Sequence, residues 1–331
     1  MAQRYDYASI AAKDCLKIQP KEQVLIFADS KKLQFAEDLA GSVKSAGGIP
    51  SVFYIPASVR PVEDITDPQA VSLVLADVVI YVLETEESCG VSLSREVAFR
   101  HYLIRLPTQY KGRVCMMPGF TEEMKPALAI DYAALARRCR ALKDLLSEKT
   151  VRITSELGTN VQFGLQGRKW ILNDGDLSSP GLYGNLPAGE IYTAPVEESL
   201  HGRIVIDGSV GGLGQTDRPF AIDLESGKIK SMGALGRESK TLEKFTEICS
   251  YDAPSTETVG EFGIGMNPGA RVVGNMLMDE KVMGTVHFAF GDSYGLGMSN
   301  SRFHTDVMIT KPSIFVEGKC IMDNGEFTLD L

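Results

Sequence analysis

A change of rhythm near residue 148 constrains this chain more than any other feature. Before it, strand-like apolar runs alternate with helix-like stretches: Gln23–Ala28, the helical Lys32–Ala46, Pro50–Ile55, and later Ala76–Leu83 and Gly112–Met117. That alternation predicts an α/β layer around a largely parallel sheet. From Tyr132 to Lys149, apolar residues recur at helical spacing (Leu135, Cys139, Leu142, Leu145, Leu146), which predicts a long amphipathic helix closing the domain. Beyond it come short alternating strands separated by glycine: Val151–Thr154, Val161–Leu165, Arg203–Ile206, Phe220–Leu224 and Lys228–Met232, with one helix-like insert at Ser239–Cys249. This texture predicts an α+β domain with an antiparallel-rich sheet. The expectation is therefore two domains, 1–148 and 149–331, since 331 residues exceed the roughly 250–300 at which a single core stops growing.

Composition narrows the function classes. With 44% apolar and 23% charged residues the chain is expected to fold as a globular protein. A net charge of −9 argues against a nucleic-acid partner, which needs a basic patch to neutralise phosphates. The longest strongly apolar run, Ala76–Leu83, is far below the ~18 residues of a membrane span, and charges interrupt the N-terminus at Arg4, Asp6, Lys13, Asp14 and Lys17. Neither export signal nor membrane anchor is expected, and the location read from this is cytoplasmic. Six cysteines (Cys15, Cys89, Cys115, Cys139, Cys249, Cys320) lie far apart, which fits free thiols better than a disulfide framework or a zinc knuckle.

The chemistry concentrates near the C-terminus, where two of the four histidines fall between positions 287 and 304. In Thr285-Val286-His287-Phe288-Ala289-Phe290, strand periodicity puts Val286, Phe288 and Phe290 on a core face and leaves His287 looking out from the other. In Arg302–Ile309 the same rule buries Phe303, Val307 and Ile309 and sets His304 and Asp306 on the opposite face, about 7 Å apart along the strand. A short glycine-containing loop makes the two strands natural neighbours, so an imidazole from one and an imidazole and carboxylate from the other can meet on one ion. Gly211-Gly212-Leu213-Gly214 and Gly263-Ile264-Gly265 read as turns rather than phosphate cradles. The first strand, ending at Ala28-Asp29-Ser30, lacks the glycine fingerprint of a dinucleotide site.

Four ordered motifs carry a family resemblance: Asn185-Leu186-Pro187-Ala188-Gly189-Glu190-Ile191-Tyr192-Thr193-Ala194-Pro195, Gly260-Glu261-Phe262-Gly263-Ile264-Gly265, His287-Phe288-Ala289-Phe290-Gly291 and His304-Thr305-Asp306. They resemble the thermophilic-type metalloaminopeptidases of the aminopeptidase T, aminopeptidase S and PepS group. Val151–Arg168, with its Leu157-Gly158-Thr159 turn, is similar as well, while the first domain matches only in texture. The resemblance implies that Glu190, Glu261, His287, His304 and Asp306 bind two divalent ions (zinc, cobalt or manganese) that activate a shared water. It also implies an oxyanion-stabilising role for Tyr294, a general base at Glu280, a homodimer, and a first domain that shapes access to the site. Glu280, in Met278-Asp279-Glu280-Lys281, stands about two residues further from His287 than the family pattern, and the loop between the histidines is shorter.

Two functions follow. The first is a metalloaminopeptidase removing the N-terminal residue of short peptides through a two-metal-activated water. The alternative is a ring-cleaving dioxygenase of the 2,5-dihydroxypyridine type, a side branch that resembles the same family and holds one Fe(II) on two histidines and one aspartate. His287, His304 and Asp306 alone satisfy the alternative, whereas Glu190 and Glu261 as additional ligands favour the first.

Overall fold

Four of the apolar runs become parallel strands in the computed structural model, which describes residues 6–84 and 96–329. They are β1 (Gln23–Asp29), β2 (Ile49–Ile55), β3 (Val78–Val82) and β4 (Arg113–Met116), joined at the sheet edge by β8 (Tyr183–Asn185) in the order β2-β1-β3-β4-β8. Every pairing is parallel. Strands β3 and β4 are buried along their whole length, as expected when helices cover both faces of a parallel sheet. The core of this unit gathers Leu25, Phe27, Val79, Tyr81, Phe99, Leu103 and Val114. Strand β2, at the edge, leaves Ile49, Val52 and Tyr54 exposed.

The second unit holds two antiparallel sheets. Strands β5 (Thr150–Thr154), β6 (Asn160–Gly164), β10 (His201–Ile206), β13 (Phe220–Glu225), β14 (Lys228–Ala234), β18 (Ser313–Val316), β19 (Lys319–Asp323) and β20 (Glu326–Phe327) make one, in the order β14-β13-β10-β6-β5-β18-β19-β20. The other contains β7 (Ile171–Asn173), β9 (Glu190–Thr193), β11 (Ser209–Val210), β12 (Gly214–Gln215), β15 (Val259–Gly265), β16 (Val286–Gly291) and β17 (His304–Ile309), in the order β12-β11-β17-β16-β15-β9-β7. Aromatic rings join them: Phe163 on β6 meets Phe262 on β15 at 4.8 Å and Phe288 on β16 at 5.8 Å. Phe245, on the helix Lys240–Ser250, packs between Phe220 and Phe290.

The predicted fold class is the one observed: a parallel α/β unit and an antiparallel-rich α+β unit. The chain passes between them more than once, because one unit comprises residues 6–84, 96–132 and 175–188 and the other residues 133–174 and 189–329. The helix Tyr132–Leu146 forms and buries Leu135, Cys139, Leu142 and Leu146, while Leu145 is left exposed. From Ala133 onward this helix belongs to the second unit. Cys15, Cys115, Cys139, Cys249 and Cys320 are free thiols; Cys89 lies outside the described residues. No helix among the described residues is long and apolar enough to cross a membrane.

Candidate metal centre

Strand register alone brings the five predicted ligands to one face of the seven-stranded sheet. Gly263 on β15 lies opposite His287 on β16, Glu261 opposite Ala289, and Gly265 opposite Glu190 on β9. On the other side of β16, Ala289 faces Asp306 and Gly291 faces His304. Residues directly opposite share a face, and so do residues two apart along a strand, so Glu190, Glu261, His287, His304 and Asp306 all project together. Phe262 and Phe288 point the other way, into the inter-sheet core.

The face is not open. Every residue of β15 and β16 is buried and His287 has no exposed surface, so the expectation that His287 looks out from a half-buried sheet is corrected: β16 is a central strand covered on both faces. The reading of Gly263-Ile264-Gly265 as a turn is corrected too, for it forms the end of β15. Gly263 leaves room for an imidazole, since a Cβ there would lie 2.0 Å from Nε2 of His287. Gly211-Gly212-Leu213-Gly214 does turn, between β11 and β12.

Donor atoms converge as the pairing requires. His287 Nε2 is 3.4 Å from Glu261 Oε1 and 3.6 Å from Glu190 Oε2. His304 Nε2 is 3.5 Å from Asp306 Oδ1 and 3.9 Å from Glu261 Oε2. Donor atoms of Glu261, His287 and Asp306 lie within 4.8 Å of one another, as do those of Glu190, Glu280 and His287. His304 Nδ1 donates to the Asp292 carbonyl at 2.7 Å, which fixes the tautomer and turns the Nε2 lone pair towards the carboxylates.

Burial and charge pull against each other here. Burial disfavours the imidazolium of His287, but the Glu261 carboxylate 3.4 Å away and the charges of Glu190 and Glu280 outweigh that and lift the group to about 9. His304 is raised well above its ordinary range, with burial opposing and Asp306 and Tyr294 favouring the cation. Burial would raise Asp306, yet His304, His287 and Lys281 hold it below the usual carboxylate range. Glu280 is pushed up to about 8 by burial and then by Glu190.

These residues fit a divalent cation. Among the described residues, Glu190 Oε2, Asp306 Oδ1 and both ring nitrogens of His287 are buried without a hydrogen-bond partner. Buried polar atoms in folded proteins rarely stay unpaired, and an ion that accepts imidazole and carboxylate ligands would take up Nε2 of His287, which faces the carboxylates, and the Asp306 oxygen.

Glu280 caps the short helix Met276–Asp279, and its carboxylate contacts Lys281. Tyr294 has a left-handed backbone (φ 48°) and is more than half exposed, with its ring centroid 4.7 Å from that of His304. Lys281 was not marked by sequence reasoning at all. It is fully buried and donates to Glu190 Oε1 at 2.5 Å as well as to Glu280. A lysine beside an acidic pair normally reads as a solvated surface charge, and nothing in the local pattern signals its burial.

The antiparallel unit thus gathers two imidazoles and several carboxylates on one buried sheet face, a donor set that fits a metal ion, beside a parallel α/β unit in the same chain. Residues 113–329 match the family model NicX, 2,5-dihydroxypyridine 5,6-dioxygenase, and the chain belongs to that family. A curated relative, the 2,5-dihydroxypyridine 5,6-dioxygenase of Pseudomonas putida strain KT2440, is 22% identical over 209 residues. That alignment spans 57% of each chain, little more than half the length of the relative.

In fold, the chain is similar to the structure of 2,5-dihydroxypyridine dioxygenase from P. putida KT2440, with a TM-score of 0.77 at 15% identity over 99% of this chain and 97% of that one. Wild-type AmpT from Thermus thermophilus gives 0.71 at 17% identity over 98% and 99%. At such identities both likenesses concern the fold. The link to the aminopeptidase group is therefore one of fold, and the reading as a hydrolase, aminopeptidase or protease is corrected by the family match and the curated relative, which both name a dioxygenase. The quoted motifs follow strands of a fold that both structures share, and so they did not report the reaction.

Proposed function

We propose that this protein is a ring-cleaving dioxygenase acting on a small hydroxylated aromatic of the dihydroxypyridine type, with one ferrous ion held by His287, His304 and Asp306. The observation that carries this reading is the meeting of those two imidazoles and one carboxylate on a single buried face, in a chain of a dioxygenase family. Two histidines and one carboxylate form a facial set that leaves coordination positions open for a small substrate and dioxygen. When bound, ferrous iron supplies the one-electron chemistry with dioxygen that no amino-acid side chain offers. Both oxygen atoms of dioxygen enter the product, so no external reductant is consumed.

The protein's own groups do the rest. The Asp292 carbonyl keeps the proton of His304 on Nδ1, so that Nε2 faces the site as a lone pair. Glu261, whose carboxylate lies between the two Nε2 atoms, accepts the proton of a ring hydroxyl entering beside it. Tyr294, against the His304 ring, presents a phenol that orients a polar substituent of the substrate. Burial of the donor face keeps bulk water away.

Protein loaded anaerobically with Fe(II) is expected to consume dioxygen when 2,5-dihydroxypyridine is added, and the Asp306→Ala variant to consume none. Iron-loaded protein that leaves dioxygen untouched across a set of dihydroxylated pyridines and benzenes would contradict the proposal.

A further inference from the structure

The face described above contains two groups of candidate ligands that share His287: Glu261, His287 and Asp306, and Glu190, Glu280 and His287. The second group is supplied with a lysine ammonium. The Lys281 side chain is fully buried, its Nζ lies 2.5 Å from Glu190 Oε1, and it also bonds Glu280 Oε1. Asn173 Nδ2 adds a hydrogen bond to the same Glu190 oxygen at 3.3 Å. Position 281 is held from both sides: its backbone N–H bonds Met278 O and its carbonyl accepts from Asn267 N at 2.8 Å. Asp279, two residues earlier, is buried and accepts from Ser209 Oγ and from the backbone N–H groups of Val273 and Gly274.

We infer that the Lys281 ammonium takes the place of a second metal ion, pairing Glu190 and Glu280 and restricting this centre to one divalent ion. The physical reason is charge. Two buried carboxylates require a positive partner, and once an ammonium sits between them a divalent ion in the same place would meet its repulsion in a low-dielectric setting while finding Glu190 Oε1 and Glu280 Oε1 engaged. Beside Glu261 and Asp306 the described residues place two imidazoles, which can lose their protons to a metal ion as an ammonium cannot, so His287, His304 and Asp306 remain for the single ion. Two-metal hydrolytic centres instead need a pair of ions roughly 3.5–4 Å apart. Lys281 is thus a positioning residue that sets metal count. The inference rests on metal binding at this site but not on which reaction the ion serves.

The test is manganese(II) titration of full-length protein, read by elemental analysis and by electron paramagnetic resonance, with no activity assay involved. Wild type is expected to bind one ion with the six-line spectrum of an isolated manganese. Lys281→Met, which removes the charge while keeping an apolar chain of similar length, is expected to bind two, with the broadened spectrum of a coupled pair. Lys281→Arg should stay at one. Two ions in wild type overturn the inference, as does a folded Lys281→Met that still binds one. No manganese bound to either protein sinks metal binding and the inference together, whereas a shift from one ion to two without ring cleavage leaves the inference standing and removes only the proposed reaction. Should Lys281→Met fail to fold, Glu280→Gln decides: the affinity for the single ion should change by less than about threefold, and a loss of tenfold or more shows Glu280 to be a ligand.

Discussion

Gly263 and His287 face each other across the β15–β16 ladder, and the imidazole occupies the space a side chain at 263 would need. A methyl group at this position would lie 2.0 Å from Nε2, closer than any tolerated contact, and the ring must rotate away. Gly263→Ala is therefore expected to leave the far-ultraviolet circular dichroism unchanged but weaken metal binding by about 10- to 100-fold, the range seen when a ligand loses its orienting environment. Calorimetric titration with manganese(II) checks this. An unchanged affinity would show that His287 is not a ligand.

Loss of ligand atoms should be harsher than loss of orientation. His304→Ala and Asp306→Ala each remove one donor of a pair 3.5 Å apart. Each is expected to lower metal affinity by more than about 100-fold, beyond what an outer partner costs. Elemental analysis after gel filtration gives the answer. Tyr294→Phe should retain full metal content and lose about tenfold in kcat/KM, because the phenol touches substrate and not the ion.

The charge balance predicts a pH dependence with a definite sign. In the metal-free protein His287 is lifted to about 9 from an ordinary 6.5. Its contribution to stability is complete below 6.5 and is lost as pH rises through about 9. The melting temperature of metal-free protein should fall between pH 6.5 and 9. Metal binding displaces the His287 proton, so apparent affinity should rise by about tenfold per pH unit, for each proton released, up to that value. Thermal melts and metal titrations across this window measure both; a melting temperature that rises instead contradicts the charge balance.

Scaffold and site can be separated experimentally. Phe163 lies in the inter-sheet core against Phe262 and Phe288, on the side of the sheet away from the carboxylates. Phe163→Ala is expected to cost about 3–5 kcal/mol of stability, from lost burial and the cavity left behind. Chemical denaturation gives that number, and metal stoichiometry should stay that of wild type.

Much of the architecture was legible because it rests on local periodicity. Gln23–Ala28, Ala76–Leu83 and Gly112–Met117 became buried parallel strands, and His287, His304 and Asp306 came together because alternation and a short loop fix their register. What stayed hidden depends on distant parts of the chain. The edge strand Tyr183–Asn185 joins the first sheet by pairing with Val114–Met116, and Lys281 is buried because Glu190, 91 positions earlier, waits for it. The turn-like look of Gly263 comes from its missing side chain, yet the neighbour that requires the gap sits on another strand. The reaction was obscured for a related reason, since the motifs mark strands of a fold that is shared with AmpT as well as with the dioxygenase.

The central claim is that oxygen atoms from dioxygen enter an aromatic substrate. It is tested most directly by turnover of 2,5-dihydroxypyridine by Fe(II)-loaded protein under ¹⁸O-labelled dioxygen, with mass spectrometry of the product. Two labelled oxygen atoms per product molecule are predicted. A product that takes its new oxygen from water, or no product from fully iron-loaded protein, would contradict the account.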